Sequence, residues 1–207
     1  MTTLKTTRVP ATRLDPATLG QLFVEARTYT SWTDRPVDDG LLEEVYNLAR
    51  MAPTSANTQP MRVLFVKGPE AKARLKPALA PKNVEKTMTA PVTAIVCHDV
   101  TFYENLPKLY PQGADALKIF AAMPSERVER MASDGTNLQC AYLILAARAL
   151  GLDYGPLAGF DRALVDKEFF TDTTWKSNLI VNLGYGDPAT LYPRNERLEF
   201  SEACRIV

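Results

Sequence analysis

The stretch APVTAIVCHD, residues 90–99, constrains this chain more than any other. Between Pro91 and His98 the run is almost unbroken in apolar side chains. Side chains on a strand alternate between faces, so such a run is expected to be a strand buried on both. That calls for a sheet with helices packed against it. SDGTNLQCAYLILAARALGL, residues 133–152, is the strongest helical segment. Its middle, Ala141 to Ala149, is apolar almost all round, which predicts a helix buried on most sides, the innermost of the set. Gly151 is placed to end it as a C-terminal cap.

The remaining segments fit an α+β chain. MRVLFVK, residues 61–67, is a strand by its β-branched and aromatic content, and NLIVNLGYGD, residues 178–187, is a strand ending in glycines. DPATLGQLFVEAR reads as a short helix capped by Asp15 with Pro16 at its first position. VDDGLLEEVYNLARMA is a helix with Leu41, Leu42, Val45, Leu48 and Ala49 on one stripe, stopped by Pro53. PEAKARLKPALA is a helix interrupted at Pro77, and DRALVDKEFF a helix capped by Asp161. DYGPLAGF is a turn-rich strand region. Residues 100–125 form an irregular excursion or lid with a short helix near Ala114 to Ala122, and the tail 188–207 is extended and polar. The chain is expected to be one domain, residues 1–207.

Charge and composition exclude several functions. The 24 basic and 24 acidic residues cancel, so the positive field that non-specific nucleic-acid binding requires is absent. The three cysteines have no metal-ligand spacing, and Cys97 and Cys140 read as buried thiols. The single histidine, His98, argues against a Ser-His-Asp hydrolase and a His-rich metal site, and reads as a strand-end residue near the surface. Residues 1–10 lack an apolar leader region, and no apolar segment reaches membrane-span length, so a cytoplasmic location is expected.

Four polar or glycine-bearing stretches stand out. In MAPTSANTQP, residues 51–60, six small or polar residues lie between two prolines. They make a plain turn, or a polar rim whose Ser55, Asn57 and Gln59 both donate and accept toward a heterocycle. ARTYTSW, residues 26–32, joins Arg27 to hydroxyl side chains, which suits a solvated helix end or a phosphate clamp. YPRNERL offers Arg194 and Arg197, for a salt bridge or an anion. GPLAGF, residues 155–160, is a turn, or backbone that must approach a flat ligand closely. GxGxxG and GxxxxGK[ST] cradles are absent.

Together ARTYTSWTDRPV, LARMAPTSANTQPMRVLFV, AARALGLDYGPLAGFD and NLIVNLGYGDP resemble the nitroreductase family of FMN-dependent oxidoreductases, in order, over residues 20–200. APTSAN, PEAKARLKPAL, KTMTAPVT and ARALGLDYGPLAGFDR are most similar to its malonic semialdehyde reductase branch. The resemblance implies an α/β sandwich with a central mixed or antiparallel sheet, assembled as an intertwined homodimer with FMN at the interface. NAD(P)H would be the electron donor in a ping-pong scheme with a small-molecule substrate, without metal. Arg27 would meet the flavin phosphate, with Tyr29 where the family has serine and Ser31 as a substitute. Pro53, Thr54, Ser55 and Asn57 match the loop that borders a flavin lying largely on the other subunit. Asn83 and Lys86 would face the flavin pyrimidine, Lys86 stabilising the charge that reduction adds. Pro156, Leu157, Ala158 and Gly159 would lie over the ring, and Arg194 and Arg197 at the phosphate. Lys108 or Arg62 would hold a substrate carboxylate, and Tyr103 or Tyr110 a proton. The substrate readings are malonic semialdehyde reduced to 3-hydroxypropionate, a broad range of quinones and nitroaromatics, or none, in a flavin-binding protein without turnover.

Overall fold

The computed structural model describes residues 12–207; the leader reading of residues 1–10 lies outside them. In chain order the elements are α1 (Pro16–Leu19), continued as a π turn over Gly20–Val24, α2 (Asp39–Ala49), β1 (Met61–Lys67), α3 (Gly68–Leu75) and α4 (Pro81–Met88). Then follow β2 (Val92–Asp99), α5 (Leu106–Leu109), α6 (Ala116–Ala121), α7 (Ser125–Ala149), β3 (Asp153–Leu157), α8 (Arg162–Phe169), β4 (Trp175–Gly184) and α9 (Phe200–Ala203). The sheet runs β1-β2-β4-β3, and every neighbouring pair is antiparallel.

The double burial expected of the apolar run is met, for all eight residues of β2 are buried. Val92, Ala94 and Val96 face one core with Leu42, Val45 and Ala49 of α2 and Cys140, Leu143, Ala146 and Ala147 of α7. Ile95 and Cys97 face a second core with Leu75 of α3, Val165 of α8, Leu157 and Phe160. Thr93, on that second face, donates from Oγ1 to Asn182 Oδ1 at 2.8 Å, so the strand's interior hydroxyl is satisfied. Residues 100–125 have a small core of their own, where Phe102, Leu106 and Phe120 pack with Val128 and Ala132 of α7.

The capping residues act as expected. The Asp15 carboxylate accepts from Thr18 N and that of Asp161 from Leu164 N, each at a helix N-terminus. At the end of α7, Gly151 has φ +80°, and Leu152 N donates to Ala147 O at 2.8 Å, closing a Schellman turn.

Four expectations need correction. α7 starts at Ser125, not Ser133, because the polar segment SERVERMA continues the helix out under the lid, burying only Val128 and Ala132 there. Its Ala141–Ala149 stretch is not buried on most sides: Leu143, Ala146 and Ala147 are, but Ala141 and Tyr142 are exposed, as is Leu138 before them. His98 does end a strand but is only 6% exposed, and neither ring nitrogen has a hydrogen-bond partner among the described residues, the Glu129 carboxylate lying 3.8 Å from Nε2. The tail is not wholly extended, since Glu199 and Glu202 form a capping box that starts α9. No described helix is long and apolar enough to cross a membrane.

Candidate active site

The most ordered constellation lies where α4 meets the end of β3. Pro81 opens α4 at a position where its missing N–H costs nothing. Two residues later Asn83 is buried, and its Nδ2 donates to Gly159 O at 2.8 Å. Ala80 N donates to the same carbonyl at 3.0 Å, and Asp161 N to Ala78 O at 2.7 Å. These bonds pin the turn Ala158–Asp161 against the segment before α4. A Cβ on Gly159 would lie 2.5 Å from Asn83 Nδ2, so any side chain there would push the Asn83 amide away. The Gly159 N–H, by contrast, has no partner among the described residues. An open pocket of about 430 Å³ runs along this junction, lined by Pro77–Ala80, Ala158–Asp161 and Leu164.

Lys86 stands one turn after Asn83, on the same side of α4 by the helical repeat, and is half-buried. Its carbonyl accepts from Trp32 Nε1 at 2.9 Å, which ties α4 to the segment that carries Arg27. That segment lies across β3. Tyr29 N donates to Tyr154 O at 2.9 Å, and Asp187 N donates to Ser31 O at 3.1 Å. Glycines make the crossing possible: a Cβ on Gly155 would lie 2.4 Å from Tyr29 O, and one on Gly186 2.0 Å from the Tyr29 ring. Tyr29 therefore packs flat on Gly186, and burial followed by the charge of Asp153 raises its hydroxyl pKa. The arginines interlock with the tail. Arg27 donates to Tyr192 O, and Arg194 donates to Val24 O at 2.7 Å and Ala26 O at 2.8 Å. Among the described residues Arg197 bonds to the nearby carbonyls of Asn195 and Glu196. Carbonyls do not neutralise a guanidinium, so Arg27 and Arg194 form a cationic clasp beside the 24–32 segment.

The proline-bracketed loop does not join this constellation within the chain. Asn57 Nδ2 donates to Leu109 O in the lid at 2.8 Å, and Gln59 Nε2 donates to Asn57 Oδ1 at 2.8 Å. Thr54 Oγ1 accepts from Gln59 N, while Pro53, Ser55 and Asn57 are exposed. Ala56, Asn57 and Gln59 all have positive φ, at 49°, 53° and 42°. Three non-glycine residues in that region within one loop are costly, and such strain concentrates where a shape is needed for function.

Arg62 is not available as a substrate-carboxylate ligand. Its guanidinium binds Asp99 at 2.7 Å and also donates to Gln59 O and Met61 O. The Asp99 carboxylate further accepts from Thr101 and Thr174 and so fixes the root of the lid. Lys108 is exposed on the lid, while Tyr103 and Tyr110 pack beside its small core.

Two features are not visible in the sequence. One is α4 as a helix, whose most buried residues, Asn83 and Thr87, are polar, with only Val84 and Met88 as a short apolar pair at helical spacing. The other is Lys72, only 3% exposed, whose Nζ donates to Thr87 O at 2.6 Å and to Ala90 O.

Comparison with known proteins adds the family. Residues 24–185 match the model of the nitroreductase family. A Burkholderia lata protein described as a candidate NADH dehydrogenase/NAD(P)H nitroreductase is 55% identical over 195 residues, covering 94% of this chain and 99% of the relative. Among solved structures, a candidate nitroreductase from Exiguobacterium sibiricum in complex with FMN superposes with a TM-score of 0.81 at 20% identity, over 95% of this chain and 99% of that one. A Bacillus subtilis candidate nitroreductase gives 0.83 at 20% identity, over 92% and 99%. This chain belongs to the nitroreductase family.

Proposed function

We propose that this member of the nitroreductase family is an FMN-dependent NAD(P)H oxidoreductase that reduces malonic semialdehyde to 3-hydroxypropionate. The observation that carries the flavin assignment is the N–H of Gly159, without a partner among the described residues and held in a fixed turn by Asn83, with the half-buried Lys86 one turn further along the same helix. These groups fit FMN: an amide donor for a ring nitrogen, the Lys86 ammonium for the pyrimidine edge, and a cationic clasp of Arg27 and Arg194 for the phosphate. Arg197, Ser31 and Tyr29 flank that clasp. When bound, FMN supplies hydride transfer between NAD(P)H and the substrate.

The chain's own residues do the rest. Asn83 orients the turn Ala158–Gly159 and thereby the free amide. Lys86 presents a preorganised cation where reduction adds negative charge, and fixed charges of this kind usually contribute most to rate enhancement. The backbone of Pro156 and Leu157 would lie over the ring of a bound FMN, with the Leu157 side chain buried in the second core. Pro53, Thr54, Ser55 and Asn57 do not reach α4 in their own chain, which agrees with a loop donated to a partner's flavin in a homodimer. The exposed Leu138, Ala141 and Tyr142 on α7 provide an apolar face for that partner. With Arg62 bound to Asp99, Lys108 is left as the lid cation for a substrate carboxylate. The cytosol suits the free, buried thiols of Cys97 and Cys140.

A broad nitroaromatic or quinone reductase is the second reading, favoured by the description of the 55%-identical relative. The test is anaerobic. Protein loaded with FMN is bleached with NADPH, then offered malonic semialdehyde or a nitroaromatic. Return of the flavin bands with the aldehyde, faster than with an uncharged aldehyde of equal length, supports the first reading. Return only with the nitro compound supports the second, and no bleaching by NADPH leaves a flavin-binding protein without turnover.

A further inference from the structure

The C-terminal end of α4 is held by side chains from three distant parts of the chain. Trp32 Nε1 and Asn182 Nδ2 both donate to Lys86 O, at 2.9 and 3.3 Å. Asn182 also donates to Thr87 Oγ1 at 3.1 Å, while its own Oδ1 accepts from Thr93. Lys72, from α3, donates to Thr87 O and Ala90 O. The last carbonyls of a helix are orphan acceptors that water or a glycine cap commonly satisfies. Here Lys86 O and Thr87 O are satisfied by buried or half-buried donors instead, directly beneath the one lysine of α4 that the flavin reading uses.

Lys72 is the costly member. Taking an ammonium out of water costs several kcal/mol, and it is retained only where it gains charge-assisted bonds. A cation at a helix C-terminus gains those bonds and the dipole as well. Its burial alone lowers its pKa to about 8, so it remains largely cationic at neutral pH. An apolar residue would fill the same space, and would leave two carbonyls without donors.

We propose that Lys72, with Trp32 and Asn182, is a positioning residue that clamps the end of α4 and so fixes Lys86 against the flavin. This rests on the FMN reading above. Lys72 and Trp32 touch the α4 carbonyls and act only through Lys86.

The test compares Lys72→Met and Trp32→Phe, each in the wild type and in Lys86→Met. Two quantities are measured: the rate of anaerobic bleaching of bound FMN by NADPH, and the reduction midpoint of that FMN. Each single substitution should slow bleaching by roughly 2- to 150-fold, the range of coupled neighbours, and lower the midpoint. Both effects should vanish once Lys86 is methionine. A purely structural role would instead give losses of equal size in both backgrounds, and that result overturns the proposal. So does a midpoint unchanged in both single variants. If Lys72→Met does not fold, Trp32→Phe decides alone, since it removes one N–H and keeps an aromatic ring. A wild type that binds no FMN overturns the functional reading and this inference together. A wild type that binds and bleaches, with additive losses, overturns this inference alone.

Discussion

Replacing Gly159 by alanine tests the pinned turn at its tightest point. The added methyl would lie 2.5 Å from Asn83 Nδ2 and 3.6 Å from the Ala80 Cβ. Carbon and nitrogen need about 3.4 Å at van der Waals contact, so Asn83 must retreat by about 1 Å. That breaks its 2.8 Å bond to Gly159 O. A lost hydrogen bond costs about 1 kcal/mol, and a buried amide left without a partner costs about 1–3 kcal/mol more. The expected destabilisation is therefore about 2–4 kcal/mol, a fall in Tm of roughly 4–16 °C for a chain of this size. Thermal unfolding of apo protein at one fixed concentration measures it. The double variant Gly159→Ala/Asn83→Ala removes the obstructing amide, so its loss should be smaller than the sum of the two single losses. FMN affinity should fall in Gly159→Ala, because the free amide moves with the turn. If Gly159→Ala melts within about 1 °C of wild type, or if the double variant is strictly additive, the pinning of the turn by Asn83 is refuted.

Other expectations follow from the same structure. Lys86→Met should slow NADPH bleaching of the flavin by about 10²-fold, the scale of losing one preorganised charge partner, while the FMN Kd changes far less; stopped-flow rates and fluorescence titration separate the two. Leu138→Asp/Tyr142→Asp should convert a dimer to a monomer by light scattering and weaken FMN binding, if the exposed α7 face is covered by a second copy. Burial lowers the folded pKa of His98 below its ordinary value of 6.5, against the opposing pull of Glu129. The unfolded state then takes up the proton first, so stability present above pH 6.5 is lost as pH falls through that value toward the folded pKa. His98→Gln should flatten the decline in Tm between about pH 7 and pH 5 relative to wild type. Lys72, whose folded pKa of about 8 lies below its ordinary 10.5, has the linkage in the other window. Stability should rise from about pH 8 to 10.5, because the unfolded state holds the extra proton there, and Lys72→Met should remove that rise.

Elements defined by local physics were legible in the sequence. β2 announced itself by an apolar run buried on both faces, and Asp15, Asp161 and Gly151 cap helices as their types suggest. What could not be read depended on distant partners. α4 offers only Val84 and Met88 as an apolar pair, and the burial of its polar residues Asn83 and Thr87 rests on Gly159 and Asn182, which are remote in the chain. Lys72 sits in a Lys- and Arg-rich helix whose pattern suggests a solvated face, yet the β2 entry turn folds over it. Arg62 looked free until the register of β1 with β2 brought Asp99 to it. The exposed side of α7 is not legible in the sequence because composition marks a surface as apolar without saying whether its cover comes from the same chain.

The most direct test of the flavin site is a titration of the purified apo protein with FMN, followed by flavin fluorescence. Quenching should saturate at one FMN per chain, be lost in Arg27→Ala/Arg194→Ala and be weakened in Gly159→Ala. Fluorescence that tracks free FMN at every protein concentration would contradict the site, and would return Gly159, Lys86 and the arginine clasp to purely structural roles.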